Sequence, residues 1–433
     1  MENNDEREVI LRVKHLKQFF KMGGAKLKAV NDVSFDVYKG EVFGIVGESG
    51  CGKTTTGRSI IKLYDITSGD VIFKGQRISA GTRWNEKEIK YTRIRRNAKI
   101  RDLKAQLKEE LSEVSDEVLR EQITNRYESE IQDAKIFADK IIKEERARIK
   151  KAKDDQITGA KQYIANRVAE VEAKYQPLLA NASEDQLPAL KKEYREQLRV
   201  AKHDRIMTKM QMIFQDPIAS LDPRMTVKEI ISEGLVIRGI RDKKTIDEKV
   251  YEVLELVGLV RDHAGRYPHE FSGGQRQRIG IARAIIMDPE LIIADEPISA
   301  LDVSIQAQII NLLNELREKK NLTIIFIAHN LSVVKYFCDR IAVMYFGKIV
   351  ELAPAEELFK HPLHPYTKSL LSAIPLPDPE YEKQRTRITY NPLVEHDYSK
   401  EKPTLREIAP GHFISSNTEE FEKYKRQMNA KTK

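Results

Sequence analysis

Residues 47–54 read Gly-Glu-Ser-Gly-Cys-Gly-Lys-Thr and fit the pattern G-x-x-x-x-G-K-[S/T]. The largely apolar residues 41–46 before this stretch predict a buried strand, and residues 54–63 after it can form a helix. A strand, a glycine-rich loop and a helix in this order turn backbone N–H groups toward a polyphosphate at the helix N-terminus. We therefore predict a phosphate-binding loop in which Gly47, Gly50 and Gly52 surround the anion.

The last residues of this stretch carry the groups that ATP and Mg²⁺ would need. Lys53 is expected to reach the β- and γ-phosphates, and the Thr54 hydroxyl to hold Mg²⁺. Thr55 follows in the first helical turn and is also expected at the nucleotide. The alternative is a chance glycine-rich turn, which the Lys-Thr pair in register behind a strand disfavours.

Composition indicates a globular protein that does not span a membrane. The 433 residues have room for two or three domains, and no run of about 18 apolar residues exists. The two cysteines, Cys51 and Cys338, form no metal-spaced cluster, so a reducing cytoplasm is the expected compartment. The net charge of +8 permits contact with anionic lipid or nucleic acid, but an ordinary solvated surface explains it more simply.

Residues 85–208 differ in composition from the segments on either side. Charged residues are dense there, and apolar residues recur at three- and four-residue intervals, which predicts a coiled coil. A hairpin tip is expected at residues 154–159, and a second break at Pro177 and residues 181–185. Two helices of about 50 residues would then run out and back over about 75 Å. The two apolar rows are Ile100, Leu103, Leu107, Leu111, Val114 and Val118, and Ile164, Val168, Val171, Tyr175 and Leu178.

Residues 209–350 return to alternating strand and helix patterns, and an acidic pair ends one of the strands. Asp295 is expected to orient Mg²⁺. Glu296 is expected to face the γ-phosphate and to polarise the attacking water as a general base. Acidic pairs after a strand are often only a solvated strand end, but the phosphate loop earlier in the chain favours the functional interpretation.

A second candidate anion site lies between these two segments. Ser272 can cap a helix that begins with Gly273 and Gly274, followed by Gln275. The N-terminus of such a helix, with two glycines, can bind phosphate. Two phosphate-binding helix N-termini in one chain suggest a nucleotide that is shared between two chains.

These segments together resemble the nucleotide-binding domain of ABC-type ATPases, a P-loop NTPase. The resemblance rests on the Ser-Gly-Gly-Gln motif, the strand ending in Asp-Glu-Pro, residues 299–302 and His329. It implies an α/β fold with an antiparallel β subdomain and a helical subdomain. The implied domains are residues 1–84 and 209–352 for the ATPase domain, 85–208 for the helical coiled-coil insertion and 353–433 for a C-terminal extension.

The resemblance also assigns roles to single residues. Gln215 matches the loop that touches Mg²⁺ and faces the membrane partner, and His329 matches the histidine that contacts the γ-phosphate. Asp302 matches the family's D-loop. Residues 272–275 would close over the nucleotide held by the opposite subunit. Phe20 stands where the family places an aromatic ring on adenine, although Phe19 is adjacent and either ring could belong to the core.

Within this family the chain is similar to the OppF/DppF-type ATPases of oligopeptide and dipeptide importers. Residues 214–226, the His-Pro-Tyr segment of residues 361–368 and residues 405–413 carry that similarity. It implies ATP hydrolysis that powers peptide import at the cytoplasmic face of the cell membrane. The implied partners are a second, OppD-like ATPase, two membrane permeases and, indirectly, a peptide-binding protein, with no nucleic acid.

Two departures from the family pattern qualify the resemblance. Some relatives hold an iron–sulfur cluster through cysteines of the extension, but no cysteine follows Cys338, so that cluster is not expected. Lys53 and Gln215 lie about 160 positions apart, where about 50 are expected, and the difference is the insertion. The insertion could dock an unknown protein, contact anionic lipid or act as a spacer; its mixed charges argue against a nucleic-acid arm.

Two other classes of ATPase remain alternatives. A DNA-associated ATPase of the SMC or RecF type also interrupts an ABC-type domain with a coiled coil. A translation-factor ATPase would resemble two linked ATPase units, whereas this chain contains one phosphate loop. The importer-like segments favour the transporter interpretation over both.

Overall fold

Two β-sheets form the centre of the structure, a computed structural model that describes residues 7–374 and 387–431. The strands are β1 (Val9–Met22), β2 (Ala25–Tyr38), β3 (Val42–Val46), β4 (Ser68–Phe73), β5 (Gln76–Gly81), β6 (Met210–Ile213), β7 (Leu291–Asp295), β8 (Thr323–Ala328), β9 (Arg340–Tyr345), β10 (Lys348–Pro354), β11 (Thr404–Ala409) and β12 (His412–Ser416). The helices are α1 (Lys53–Ile60), α2 (Arg83–Glu113), α3 (Glu117–Ala180), α4 (Leu187–His203), α5 (Pro217–Ser220), α6 (Val227–Ile237), α7 (Lys243–Leu256), α8 (Gly273–Ile285), α9 (Val303–Lys320), α10 (Leu331–Phe337), α11 (Ala355–Lys360), α12 (Pro365–Ser372), α13 (Pro392–Glu395) and α14 (Thr418–Lys431).

The larger sheet has the strand order β11-β12-β10-β9-β3-β8-β7-β6. Strands β9, β3, β8, β7 and β6 are parallel, and β3, β7 and β8 are completely buried apolar runs, as expected for a sheet covered on both faces. Val46 pairs with Ala328, and Asp295 with Ile327. The carboxyl ends of β3, β7 and β8 therefore meet at one edge, and the residues that follow them lie together.

The smaller sheet is antiparallel, in the order β2-β1-β4-β5. Its inner face packs against the larger sheet, where the Phe35 ring stacks on Phe43 of β3 at a centroid distance of 4.9 Å. Helices α5 to α8 lie between β6 and β7 in sequence and form a separate helical unit. Its apolar side chains, among them Ile230, Leu254 and Ile281, belong to the core on the other side of the larger sheet. The α/β fold with antiparallel and helical subdomains is confirmed.

Residues 83–203 form three long helices, α2, α3 and α4, which we call the helical arm. The 64 residues of α3 span about 96 Å at 1.5 Å per residue. Helix α2 packs against the first part of α3 through Leu103, Ile123 and Tyr127, and this pair is the first lobe. Helix α4 packs against the last part of α3 through Tyr175 and Ala201, and this pair is the second lobe. The break expected at residues 181–185 is present, and α3 continues through Pro177 up to it.

The hairpin tip expected at residues 154–159 was a wrong prediction, because α3 is continuous there. The chain first reverses direction in the connection between α2 and α3, at residues 114–116. The middle of α3 crosses the small sheet at β5: Asp155 forms an ion pair with Arg77 at 3.0 Å, and Gly159 lies over Gln76. Tyr163 packs against the core between the two sheets. The arm is thus anchored through residues 155–167 of its longest helix, with a lobe on either side.

A buried carboxylate joins the arm to the helical unit. Asp204, which is completely buried, accepts hydrogen bonds from the Thr208 hydroxyl at 2.9 Å and from Tyr163 at 3.4 Å. It also pairs with Arg238, at the end of α6, at 3.2 Å and with Arg167 of α3 at 3.4 Å. Because Asp204 is shared by α3 and the end of α6, the arm and the helical unit are mechanically linked at this point.

The chain after β10 folds back onto the large sheet. β12 pairs with β10 and β11 with β12, while α12 and α14 cover this end. Residues 375–386 and 432–433, which belong to the expected C-terminal extension, lie outside the described residues. In the described ranges, no helix has the length and apolar character needed to cross a lipid bilayer.

Candidate nucleotide site

The loop after β3 has a backbone that only glycine fits at two positions. Gly47 has φ 151° and Gly52 has φ 107°, and a Cβ at either position would stand 2.2 Å from a carbonyl oxygen, of Met344 and of Ala29 respectively. Gly50, with φ 79°, lies exposed at the tip, and half-buried Thr55 lies in the first turn of α1. The loop therefore makes the tight, glycine-dependent turn that the sequence predicts, and its tip is exposed to solvent.

Lys53 points back into the loop. Its Nζ donates hydrogen bonds to the carbonyl oxygens of Gly47 at 2.8 Å and Glu48 at 3.0 Å, and only 4% of its side chain is exposed. The same Nζ lies 3.8 Å from Glu296 Oε1. A buried ammonium that is held by carbonyl groups and one carboxylate can exchange these partners for phosphate oxygens.

Thr54 and Asp295 form the second part of the site. The Thr54 hydroxyl donates to Asp295 Oδ1 at 2.7 Å, and Asp295 is completely buried at the end of β7. Among the described residues, Asp295 Oδ2 has no hydrogen-bond partner, although Arg58 lies 3.9 Å from it. Burial raises the pKa of Asp295, and the Thr54 hydrogen bond and the Arg58 charge oppose that rise. A hydroxyl and an unpartnered carboxylate oxygen are ligands that fit a hard divalent cation.

Glu296 is the centre of the predicted catalytic group. Its Oε2 accepts hydrogen bonds from Gln215 Nε2 and His329 Nδ1, both at 3.1 Å. Its backbone has φ 44°, an uncommon value for a residue other than glycine, and its N–H donates to Ile327 O at 3.0 Å. The strand ends thus bring together three residues that are distant in the sequence: His329 lies 33 positions after Glu296, and Gln215 lies 81 positions before it.

The helix N-terminus that was predicted as a second anion site has the expected cap and lies apart from the phosphate loop. Ser272 caps α8, its Oγ accepting from the Gln275 N–H, while the Gln275 side chain accepts from the Ser272 N–H. Ser272 and Gly273 are exposed, and Gly274 lies so close to Ile305 that an added Cβ would stand 2.7 Å from it. In the described part of the chain, no hydrogen bond or ion pair joins residues 272–275 to the phosphate loop. Exposed Asp302, before α9, likewise has no contact with it there.

Two aromatic rings mark the expected adenine position. Phe20, in β1, meets Tyr64 edge-to-face at a centroid distance of 5.4 Å, and Tyr64 lies shortly after α1. Phe19 and Phe20 are both half-buried, and the Phe19 N–H donates to Thr67 Oγ1. The Phe20 ring thus lies beside the segment that follows the phosphate-loop helix.

Sequence reasoning missed Arg58. It lies four positions after Thr54 on α1, and that spacing places both side chains on the same face of the helix, toward Asp295. The spacing was visible in the sequence. The direction of that face became clear only with the position of β7.

Comparison with known proteins identifies two family models. The ABC transporter family model matches residues 30–167 and 174–299, and the model described as "Oligopeptide/dipeptide transporter, C-terminal region" matches residues 350–401. The oligopeptide transport ATP-binding protein OppF of Bacillus subtilis is 44% identical over 96% of this chain and 99% of its own length. The dipeptide transport ATP-binding protein DppF of Lactococcus lactis is 41% identical over 97% and 98%. AmiF of Streptococcus pneumoniae, an oligopeptide transport ATP-binding protein, is 38% identical over 98% and 99%.

These matches bear on the alternatives left by the sequence. They favour a peptide-transport ATPase over a DNA-associated or translation-factor ATPase. The match to the Bacillus subtilis relative covers 96% of the chain and so extends over most of residues 83–203.

Proposed function

Because the chain belongs to the ABC transporter family and, within it, to the ATP-binding proteins of oligopeptide and dipeptide transport, we propose that it hydrolyses ATP to power the import of oligopeptides or dipeptides. One observation carries the proposal. Glu296 lies beside Lys53 of the phosphate loop and is held by Gln215 and His329, which follow two other strands. This is the arrangement that a general base for γ-phosphate hydrolysis requires.

Lys53 binds the nucleotide in this proposal. Its ammonium leaves the carbonyl oxygens of Gly47 and Glu48 for the β- and γ-phosphates, while the N–H groups of residues 50–55 surround the phosphate chain. Phe20 stacks on the adenine. The buried position of Lys53 supports a strong interaction, because a charge–charge contact is weakened less by water there.

Thr54, Asp295 and Gln215 would hold Mg²⁺ between the phosphates. The unpartnered Oδ2 of buried Asp295 and the adjacent Thr54 hydroxyl support this assignment. Bound Mg²⁺ would neutralise charge on the β- and γ-phosphate oxygens. The contribution of the chain is to present an ionised carboxylate, and the burial that raises the pKa of Asp295 is offset once a cation is present.

Glu296 removes a proton from the attacking water. Its Oε2 is occupied by Gln215 and His329, whereas Oε1 has, among the described residues, only the 3.8 Å ion pair with Lys53. When Lys53 turns to the phosphates, Oε1 becomes the atom that accepts the proton as the water oxygen attacks the γ-phosphorus and ADP leaves. His329 Nδ1 donates to Glu296 Oε2 at 3.1 Å, and 54% of the His329 side chain is exposed, which leaves room for it to contact the γ-phosphate.

The working unit is a dimer of ATPase subunits. Ser272, Gly273 and Asp302 are exposed, and among the described residues no hydrogen bond joins residues 272–275 or Asp302 to the phosphate loop of their own chain, which supports their closing over a nucleotide held by a second, OppD-like subunit. The dimer sits beneath two permeases at the cytoplasmic face of the cell membrane and receives peptide through a separate binding protein. Closure and reopening pass to the permeases through the Gln215 loop and helices α5 to α7.

We propose that the helical arm, residues 83–203, corresponds to the coiled-coil insertion expected at residues 85–208, and we assign it a protein-docking role. The apolar contacts inside each lobe support the coiled-coil assignment, and exposed Phe137 and Ile136 on the first lobe support docking. Shortening each lobe separately, while keeping the anchored residues 155–167 of α3, tests this. Unchanged transport and partner binding in both shortened proteins would contradict a docking role.

Purification from membranes tests the whole proposal. The tagged full-length chain should recover a second ATPase and two multi-span membrane proteins, and the recovered complex should hydrolyse ATP faster in the presence of peptide and its binding protein. Recovery of chromosome-associated proteins, with an ATPase activity that DNA stimulates and salt suppresses, would overturn the proposal.

A further inference from the structure

The His-Pro-Tyr segment of the C-terminal region contacts the phosphate loop directly. Tyr366, in the first turn of α12, has 1% of its surface exposed, and its hydroxyl accepts a hydrogen bond from the Glu48 N–H at 3.1 Å. The two residues are 318 positions apart in the sequence. The contact is therefore made by the fold and is not a local turn.

The Glu48 N–H belongs to the same peptide group as the Gly47 carbonyl. That carbonyl oxygen accepts from Lys53 Nζ at 2.8 Å, so the peptide group is held by Lys53 on one side and by Tyr366 on the other. Only glycine fits at position 47, because a Cβ there would stand 2.2 Å from Met344 O, so the placement of this peptide group is not set by a side chain of its own residue. The orientation of the first peptide of the loop thus depends on two side chains.

The residues just before Tyr366 help to place its hydroxyl. His364 caps α12, its Nδ1 accepting from the Tyr366 N–H at 3.1 Å, and Pro365 occupies the first helical position. Completely buried Glu351 accepts the N–H groups of Leu363 and His364. Burial, with smaller contributions from His396 and Lys368, lowers the pKa of His364 to about 3, so its Nδ1 stays an acceptor at neutral pH.

The Tyr366 ring is fixed by two further tyrosines. Its centroid lies 4.4 Å from that of Tyr345 and 5.5 Å from that of Tyr390. Tyr345 ends β9, and shortly after it the Gly347 N–H donates to the Cys51 carbonyl of the phosphate loop at 2.8 Å. The hydroxyl therefore has little freedom to follow a loop that changes shape.

We propose that Tyr366 is a positioning residue of the nucleotide site, which holds the Gly47–Glu48 peptide group when Lys53 turns to the phosphates and so ties nucleotide binding to the C-terminal region. The inference rests on the proposed function, because it requires that Lys53 binds ATP. Once Lys53 has left Gly47 O, the Tyr366 hydroxyl is the remaining described partner of that peptide group. Loss of the Tyr366 hydroxyl should therefore destabilise the nucleotide-bound state more than the nucleotide-free state.

The test compares Tyr366→Phe with Tyr390→Phe in the full-length chain. Tyr390 packs in the same aromatic cluster, and no described hydrogen bond joins it to the phosphate loop. Calorimetric titration with MgATP and MgADP should give a Kd about fivefold higher for Tyr366→Phe, the effect of one hydrogen bond, and within about twofold of wild type for Tyr390→Phe. In the assembled transporter, kcat at saturating ATP should change by less than about twofold, because Glu296 and Gln215 are untouched.

The outcomes separate this inference from the proposed function. Wild-type protein that binds no nucleotide would overturn both. Nucleotide binding by the wild type, with an equal Kd for Tyr366→Phe or an equal loss in Tyr390→Phe, would overturn the positioning role alone. If Tyr366→Phe does not fold, residue-resolved hydrogen exchange on the wild-type protein provides the test. The Glu48 amide should be protected from exchange both with and without MgADP. Exchange of this amide at the rate of an unstructured peptide would overturn the inference.

Discussion

Replacing Glu296 by Gln tests the catalytic assignment with little change of shape. The amide oxygen of Gln can still accept from Gln215 and His329, which bond Oε2 at 3.1 Å in the wild type. The substitution removes the proton acceptor that we place at Oε1. General-base catalysis contributes roughly 10²- to 10⁴-fold, so kcat should fall by that factor.

Binding of ATP should survive the same substitution. The Glu296 carboxylate lies 3.8 Å from Lys53 and would face the γ-phosphate, so its removal frees the lysine and takes away a like charge. We expect a Kd for ATP that is equal to or lower than the wild-type value. Phosphate release from the purified transporter and equilibrium titration with ATP measure the two quantities separately.

Glu290→Gln is the matched control. Glu290 lies just before β7, at the opposite end from Glu296, and pairs with Lys74 at 2.8 Å on the surface. This variant should keep wild-type kcat, because a surface pair contributes at most about 1 kcal/mol to folding and none to catalysis. A Glu296→Gln protein that hydrolyses ATP within about threefold of the wild-type rate would refute the general-base assignment.

Three further predictions concern buried groups. Asp295→Asn should weaken MgATP binding and should raise the thermal midpoint of the nucleotide-free protein at pH 7. Burial raises the pKa of the Asp295 carboxyl, so this group destabilises the folded state at a pH above the raised pKa but has no such effect below its ordinary pKa of 3.8. The increase in thermal midpoint should therefore vanish in a thermal scan at low pH. Asp204→Ala should lower the free energy of unfolding in urea by about 3 kcal/mol, because Arg238 loses its buried partner, whereas Asp139→Ala, on α3 at an exposed pair with Arg96, should cost less than about 1 kcal/mol. Leu103→Ala should lower the stability of the first lobe by about 2 kcal/mol and speed its proteolysis, while the Kd for ATP stays unchanged. A raised Kd for ATP would contradict an effect that is confined to the first lobe.

The positions of the candidate site residues could be predicted from the sequence because their signals are local. The phosphate loop, Asp295 and Glu296 each follow a short apolar strand, and parallel strands place their carboxyl ends at one edge. The Ser272 cap was readable for the same reason, since Gln275 three positions later completes it. The structure brings Gln215, Glu296 and His329 together, whereas their roles in catalysis remain predictions.

The path of the arm could not be derived from local pattern. Residues 154–159 contain Asp and Gly, which favour a turn, but the Asp155–Arg77 pair and the contact of Gly159 with Gln76 hold a continuous helix across the sheet. Tyr366 was missed for a related reason. Its partner, Glu48, is 318 positions away, and no spacing rule relates two such positions.

The anchoring of α3 at residues 155–167 leaves one lobe of the arm on either side of the anchor. Measured from Gly159, the N-terminal end of α3 lies about 63 Å away and the C-terminal end about 32 Å away, so a tilt of about 5° at the anchor would displace the two ends by about 5 Å and about 3 Å in opposite directions. Asp204 connects that anchor to the end of α6 in the helical unit. Rotation of the helical unit would therefore produce larger displacements at the two ends of α3. A partner protein bound at either end would oppose that rotation.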